Sequence, residues 1–272
     1  MNLDYFSAFI LGIVEGITEF LPISSTGHLI LTSKLLSINQ NEFTKSFEIV
    51  IQSGAILSVI VLYFRKIISN PKMILYMIVG FIPSGIFGLL FYKFIKQYLF
   101  SPFVVSLMLI VWGIIFILVE FLLKGRYFKS QIDAKTALLI GFFQCFALIP
   151  GTSRSGATII GGMLLGLSRK DATEFSFLLS VPTIIIASAY DLIKEKSTIF
   201  NGDIYILLIG FITSFIFAYI SVKWLISFVS KHSLVIFGIY RIIVGNNSKI
   251  IYFSYLSRPK NKPKSIWQIA YY

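Results

Sequence analysis

The stretch Tyr5-Phe-Ser-Ala-Phe-Ile-Leu-Gly-Ile-Val-Glu15-Gly-Ile-Thr-Glu19-Phe-Leu-Pro22-Ile-Ser-Ser-Thr-Gly27-His28-Leu-Ile-Leu-Thr-Ser-Lys-Leu-Leu36 is apolar at both ends and broken in the middle. Crossing a bilayer takes about 20 mostly apolar residues, and neither flank is that long. Proline, glycine and hydroxyl residues leave backbone groups unpaired, and such a break survives at membrane depth only inside protein or beside a watery cavity. The stretch therefore predicts a helix, a loop and a second helix that returns to the side from which the first entered.

The pattern occurs twice. At an offset of 129 to 130 residues, Gly12-x-x-Glu15 falls on Gly141-x-x-Gln144 and Ser24-Ser-Thr-Gly27 on Ser153-Arg-Ser-Gly156. Gly80-Phe-Ile-Pro-Ser-Gly-Ile-Phe-Gly falls on Gly210-Phe-Ile-Thr-Ser-Phe-Ile-Phe-Ala, identical at six of nine positions. An internal duplication explains all three matches, with a second broken segment at residues 136–167 around Pro150-Gly-Thr-Ser-Arg-Ser-Gly.

Between and after the broken segments lie windows of spanning length. Met73–Tyr92, Ser101–Val119 and Ile204–Val222 carry no charge, Phe175–Tyr190 is shorter, Phe47–Phe64 includes Glu48 and Gln52, and Ser233–Gly245 contains Arg241. The chain is 56% hydrophobic and 13% charged, against roughly 45–50% and about 25% in soluble domains. The expected fold is an all-α polytopic membrane protein forming one integral membrane domain over residues 1–272. Its two repeats are residues 5–123 and 136–245, each a re-entrant hairpin followed by three crossings, with residues 246–272 as an atypical tail. An odd number of crossings turns the second repeat upside down relative to the first, the plan of many transporters whose broken helices meet near the midplane.

The net charge of +12 raises nucleic acid as a partner, but the basic residues sit in short runs between apolar windows. Arg65, Lys66 and Lys72 form one run and Lys124, Arg126, Lys129 and Lys135 another, as expected of cytoplasmic loops facing anionic lipid. These runs put the N-terminus outside, while the basic residues between Lys249 and Lys264 argue the other way. One cysteine, Cys145, excludes an intramolecular disulfide framework or a thiolate metal site. Met1-Asn2-Leu3-Asp4 lacks the basic start of a removable signal peptide.

Glu15 and Glu19 are four residues apart, so a helix places both carboxylates on one face. Ionisable groups in hydrocarbon cost about 3 kcal/mol each, which makes such a pair a candidate functional site. Hard oxygen ligands suit magnesium or calcium, with water and phosphate oxygens completing the shell. After the break, Ser24, Ser25, Thr26 and Gly27 lead into a helix start at His28, where free N–H groups and the helix dipole favour an anion. The second break is built likewise from Gly151, Ser153, Ser155, Gly156 and Thr158, with Arg154 added as a guanidinium fork for phosphate oxygens. His28 is one of two histidines and the best acid–base candidate beside Ser25.

No Gly-x-x-x-x-Gly-Lys-Ser phosphate loop or Gly-x-Ser-x-Gly elbow is present, and Ile160 stands where an acid-phosphatase mechanism needs a histidine. The segments Glu15-Gly-Ile-Thr-Glu19-Phe-Leu-Pro-Ile-Ser-Ser-Thr-Gly-His28 and Pro150-Gly-Thr-Ser-Arg-Ser-Gly-Ala-Thr158 closely resemble the two signature segments of the bacterial undecaprenyl-diphosphatase family associated with bacitracin resistance. Similar segments continue through Phe47-Glu-Ile-Val-Ile-Gln52, Glu174-Phe-Ser-Phe-Leu-Leu179 and Tyr240-Arg241, over roughly residues 5 to 245. The resemblance implies a multi-pass plasma-membrane enzyme that removes one phosphate from a C55 isoprenoid diphosphate, regenerating the lipid carrier for envelope glycan synthesis. It also implies dependence on a divalent cation.

By that likeness Glu15 and Glu19 match the acidic motif that binds metal or activates water, and Ser25 and His28 match residues with nucleophilic or acid–base roles. Ser153, Arg154, Ser155 and Thr158 match the diphosphate-binding loop. Ser25, His28 and water remain as possible attacking groups, with Ser25 assisted by His28 preferred. The family usually ends in a continuous last helix, whereas Asn246-Asn-Ser-Lys249 interrupts the apolar run here, so the last crossing ends at Gly245, near Leu256 or in an altered form. A polyprenyl-phosphate flippase would share the repeats and the anion site, although it needs no glutamate pair beside a hydroxyl and a histidine. A purely structural scaffold explains the apolar windows but not two polar breaks. The sequence carries no signal for oligomeric state.

Overall fold

The structure is a computed structural model that describes residues 3–99, 101–125, 131–194 and 203–256. Its regular structure is helical throughout the described residues. Asp4 accepts a hydrogen bond from Ser7 N and starts α1, Tyr5–Thr18, and α2 follows over Ser25–Leu35. Three long helices come next: α3 (Glu42–Ser69, begun by an Asn41 cap), α4 (Pro71–Phe94, ending in a π-helical turn) and α5 (Pro102–Leu122, begun by Ser101). In the second half, α6 (Ala134–Cys145) is capped by Asp133 and runs through a 3-10 turn at Phe146–Leu148 to the break before α7, Arg154–Leu164. Then come α8 (Arg169–Lys194), α9 (Ile204–Val229) and α10 (Val235–Leu256).

Both broken segments therefore fold as helix, loop and helix. Within each, the two short helices pack on one another, α1 on α2 and α6 on α7. Five helices, α3, α4, α5, α8 and α9, contain stretches long and apolar enough to cross a bilayer, and the chain is a multi-pass membrane protein. The sixth expected crossing is the apolar part of α10, Val235–Asn247, which is shorter. Asn246–Lys249 do not interrupt α10, which runs on past Gly245 to Leu256, one of the ends the sequence allows. Asparagine costs only a few tenths of a kcal/mol more than good helix formers, and the apolar run Ile250-Ile-Tyr-Phe follows directly in sequence. Arg126, Lys129 and residues beyond Leu256 lie outside the described residues.

The two halves exchange contacts reciprocally. The hairpin helix α1 packs along α9 of the second half, and α6 packs along α4 of the first, while α3 meets α8 and α5 meets α10. The glycines aligned by the internal repeat make the two crossed approaches. A Cβ on Gly12 would lie 2.8 Å from the carbonyl oxygen of Gly210, and one on Gly141 would collide with that of Gly80. Small residues let helix backbones approach closely in membranes, where dispersion rather than hydrophobic burial holds helices together.

Candidate functional site

The two breaks share an unusual backbone. Ser24, before α2, has φ 73° and ψ 93°, and Ser153, before α7, has φ 75° and ψ 119°. Positive φ is uncommon for a residue with a Cβ and is sustained only where surrounding contacts over-determine it. Here the contacts run between the breaks. Ser155 Oγ donates to the carbonyl of Leu21 at 3.0 Å. The fully buried Arg241 of α10 donates to Pro22 O in the first loop at 3.0 Å and to Gly151 O and Thr152 O in the second at 2.7 and 2.8 Å. The guanidinium thus ties the carbonyl ends of both loops to the last helix.

Charge meets charge across the same junction. Arg154 NH2 lies 3.0 Å from Glu19 Oε1, with side chains 12% and 6% exposed, and NH1 donates to Ser176 O at 3.1 Å. The other Glu19 oxygen accepts a 2.6 Å hydrogen bond from Ser25 Oγ. A hydroxyl, a carboxylate and a guanidinium are therefore connected in series, Ser25 and Glu19 from one hairpin and Arg154 from the other. They line a cavity of about 1580 Å³ together with Ser24, Thr26, Gly151 and Ser153. Its apolar wall includes Phe81, Ile86 and Leu89 of α4 and Ile184 and Ile186 of α8, so one space joins a polar floor to a hydrocarbon-compatible side.

Other expected site residues stand elsewhere. Ser155, Gly156 and Thr158 are buried and are not among the lining residues. Thr158 Oγ1 is engaged with Arg154 O at 2.9 Å and with Ser176 Oγ at 2.7 Å, which fixes the turn that carries Arg154. Gly27 and His28 are not lining residues either. The His28 ring has Nδ1 2.8 Å from Ser24 O and Nε2 2.7 Å from the Tyr240 hydroxyl, and it stacks on the Tyr240 ring at 5.6 Å. Ser25 is therefore bonded to Glu19 rather than to histidine.

Glu15 is 1% exposed, and its Oε2 is buried without a hydrogen-bond partner. Glu19 and Glu48 act on it with like charge and Arg154 with opposite charge. An orphaned carboxylate oxygen near a second carboxylate suits a divalent cation as a hard oxygen ligand, but Glu15 is not among the residues that line the cavity, where phosphate oxygens would complete the shell. Among the described residues no group of three or more His, Cys, Asp and Glu side chains could hold a metal. The repeat counterpart of Glu15, Gln144, donates to Ser84 Oγ at 2.6 Å and to Thr183 Oγ1 at 3.2 Å, and all three line the cavity.

Arg241, Tyr240 and Ser176 were not singled out by sequence as site residues. The available signals were a lone arginine in an apolar window, since intramembrane charge is rarely incidental, and the family-like segments Glu174–Leu179 and Tyr240-Arg241 that contain these residues.

The family model described as bacitracin resistance protein BacA matches residues 8–246. The undecaprenyl-diphosphatase of Wolinella succinogenes is 52% identical over 258 residues, covering 93% of this chain and 99% of its own. That of Aquifex aeolicus is 53% identical over 242 residues, with 88% and 94% covered. One from Campylobacter jejuni is 50% identical over 252 residues, with 91% and 94% covered. With two broken hairpins joined at Glu19 and Arg154 and a match over nearly all of its length, this chain belongs to the bacitracin resistance protein BacA family.

Proposed function

We propose that the protein hydrolyses undecaprenyl diphosphate to undecaprenyl phosphate and inorganic phosphate in the bacterial plasma membrane, recycling the lipid carrier of cell-wall glycan synthesis and conferring bacitracin resistance. The observation that carries the reading is the Ser25–Glu19–Arg154 series on the wall of a cavity that is polar at the breaks and apolar between α4 and α8. The diphosphate sits at the polar floor and the isoprenoid chain lies along the apolar wall.

Phosphoryl transfer is mostly positioning and charge stabilisation. Arg154 shifts from Glu19 toward the phosphoryl oxygens, where its fork and the N–H groups at the starts of α2 and α7 stabilise developing charge. Ser25 Oγ gives its proton to Glu19 and attacks the terminal phosphorus. The anhydride P–O bond breaks, undecaprenyl phosphate leaves, and water then cleaves the phosphoserine. Glu15 and Glu19 would hold the divalent cation, magnesium or calcium, which supplies positive charge against the phosphoryl oxygens. Reciprocal packing of the halves supports reading them as inverted repeats that bring both hairpins to mid-membrane.

Purified protein in detergent, given undecaprenyl diphosphate with and without a chelator, tests the reading. Phosphate release that stops on chelation and resumes with added magnesium or calcium is expected. Substrate binding without release, in a preparation that has no second compartment, would instead indicate a polyprenyl-phosphate flippase.

A further inference from the structure

The left-handed serines at the two breaks, Ser24 and Ser153, are held by different means. Ser153 Oγ accepts a hydrogen bond from Gly156 N at 3.2 Å, so this residue caps α7 with its own side chain. Ser24 makes no side-chain cap to α2, and its carbonyl instead receives the His28 ring at 2.8 Å. The repeat offset puts Ala157 at the position corresponding to His28. The histidine is present in the half where the serine does not cap.

The ring chemistry follows from its partners. A carbonyl only accepts, so Nδ1 carries a hydrogen and donates to Ser24 O. Nε2 faces the Tyr240 hydroxyl, which can donate to it, and neither nitrogen meets a carboxylate. The titratable groups facing the ring come from α10: Tyr240 stacks on it, and Arg241 is the charged group that acts on it. Both nitrogens are committed, and neither is bonded to Ser25, whose hydroxyl is bonded to Glu19.

We propose that His28 is a positioning residue locked by Tyr240, not the proton-transfer group of the reaction. As the neutral Nδ1–H form it fixes the Ser24 carbonyl and with it the backbone turn that presents Ser25 Oγ to Glu19. Ser24 Oγ, relieved of capping, is left on the cavity wall for the substrate. The proposal rests on the phosphatase reading above.

The test uses full-length protein and undecaprenyl diphosphate. Wild-type phosphate release is measured first; its absence counts against the phosphatase reading and leaves the structural arm below intact. His28→Asn places an amide N–H near the Nδ1 position, whereas His28→Ala removes the donor. Positioning predicts that Asn retains turnover within about tenfold of wild type, the effect of one altered hydrogen bond, with the pH–rate profile unchanged, while Ala loses at least a further tenfold. Removing a general acid–base group costs about 10²–10⁴-fold. Equal losses of that size in Asn and Ala, with one limb of the pH profile gone, would overturn the proposal. Tyr240→Phe keeps the ring stack and is expected to lower turnover by less than about tenfold without moving either limb.

The structural arm does not need turnover. The chain has two histidines, so histidine-labelled protein gives two sets of imidazole nitrogen resonances, and His232→Gln assigns His28. A neutral Nδ1–H ring at neutral pH, perturbed at Nε2 by Tyr240→Phe, is expected. An Nε2–H ring or an imidazolium would contradict the assignment.

Discussion

Ser24 and Ser153, 129 residues apart in the chain, adopt the same left-handed backbone at the same place, one residue before a helix that begins inside the protein. A side chain at positive φ costs of order 1–3 kcal/mol, and glycine does not incur it. Ser24→Gly should therefore raise the thermal unfolding temperature in detergent, because Ser24 makes no capping bond that the change would remove. Ser153→Gly should show little or no gain, since it also loses the Oγ cap on Gly156 N. Equal shifts from the two substitutions would show that the halves are held alike.

Arg241 is a structural tie between the two breaks, and its loss should be felt as instability before it is felt as chemistry. Arg241→Leu leaves the carbonyls of Pro22, Gly151 and Thr152 without their buried donor. Orphaning even one buried acceptor costs about 1–3 kcal/mol, so thermal unfolding of the purified protein should fall by several degrees, about 2–4 °C per kcal/mol. Arg241→Lys should recover only part of this, since an ammonium group lacks the planar fork that spans two loops. An unchanged unfolding temperature in Arg241→Leu would remove the residue from this role.

The crossed glycines give a third measurement. In Gly141→Ala the new methyl would overlap the carbonyl of Gly80 and reach within 3.0 Å of Pro83 Cδ, forcing α6 away from α4. A destabilisation of about 1–3 kcal/mol is expected from such overpacking. Gly88→Ala on the same helix α4 meets only Leu148 Cδ2 at 3.6 Å, an ordinary contact. It should be neutral or stabilising by up to about 1 kcal/mol through helix propensity. Similar effects at both positions would rule out close packing as the reason for Gly141.

Much of this architecture was legible because backbone chemistry in a membrane is so constrained. Pro22-Ile-Ser-Ser and Pro150-Gly-Thr-Ser could not continue a helix in lipid, and that alone predicted two hairpins and a polar junction. Glu19, Ser25 and Arg154 were found because hydroxyls and charges at such breaks have few bland explanations, and the structure does bring them together. His28 was read from its neighbours in sequence, and its actual partner, Tyr240, lies 212 residues away. Arg241 looked like an interruption of the last apolar window because its acceptors are backbone carbonyls, which have no signature in sequence. Thr158 and Ser155 carried the right chemistry for a ligand but spend it on the backbone and on one another's neighbours. The end of α10 was ambiguous in sequence, between Gly245 and Leu256, because Asn246 and Asn247 weaken a helix without stopping it.

The central claim is that Glu19 of one hairpin and Arg154 of the other act on a single phosphoryl group. Single-turnover phosphate release by Glu19→Gln, Arg154→Ala and the double variant measures this directly. Each single variant, folded as judged by its unfolding temperature, should lose at least about a hundredfold, the scale of removing one preorganised charge. The double variant should be little slower than the worse single, because groups that act as a unit lose their effect together. Near-normal release by either single variant, or losses that multiply in full in the double, would contradict the account.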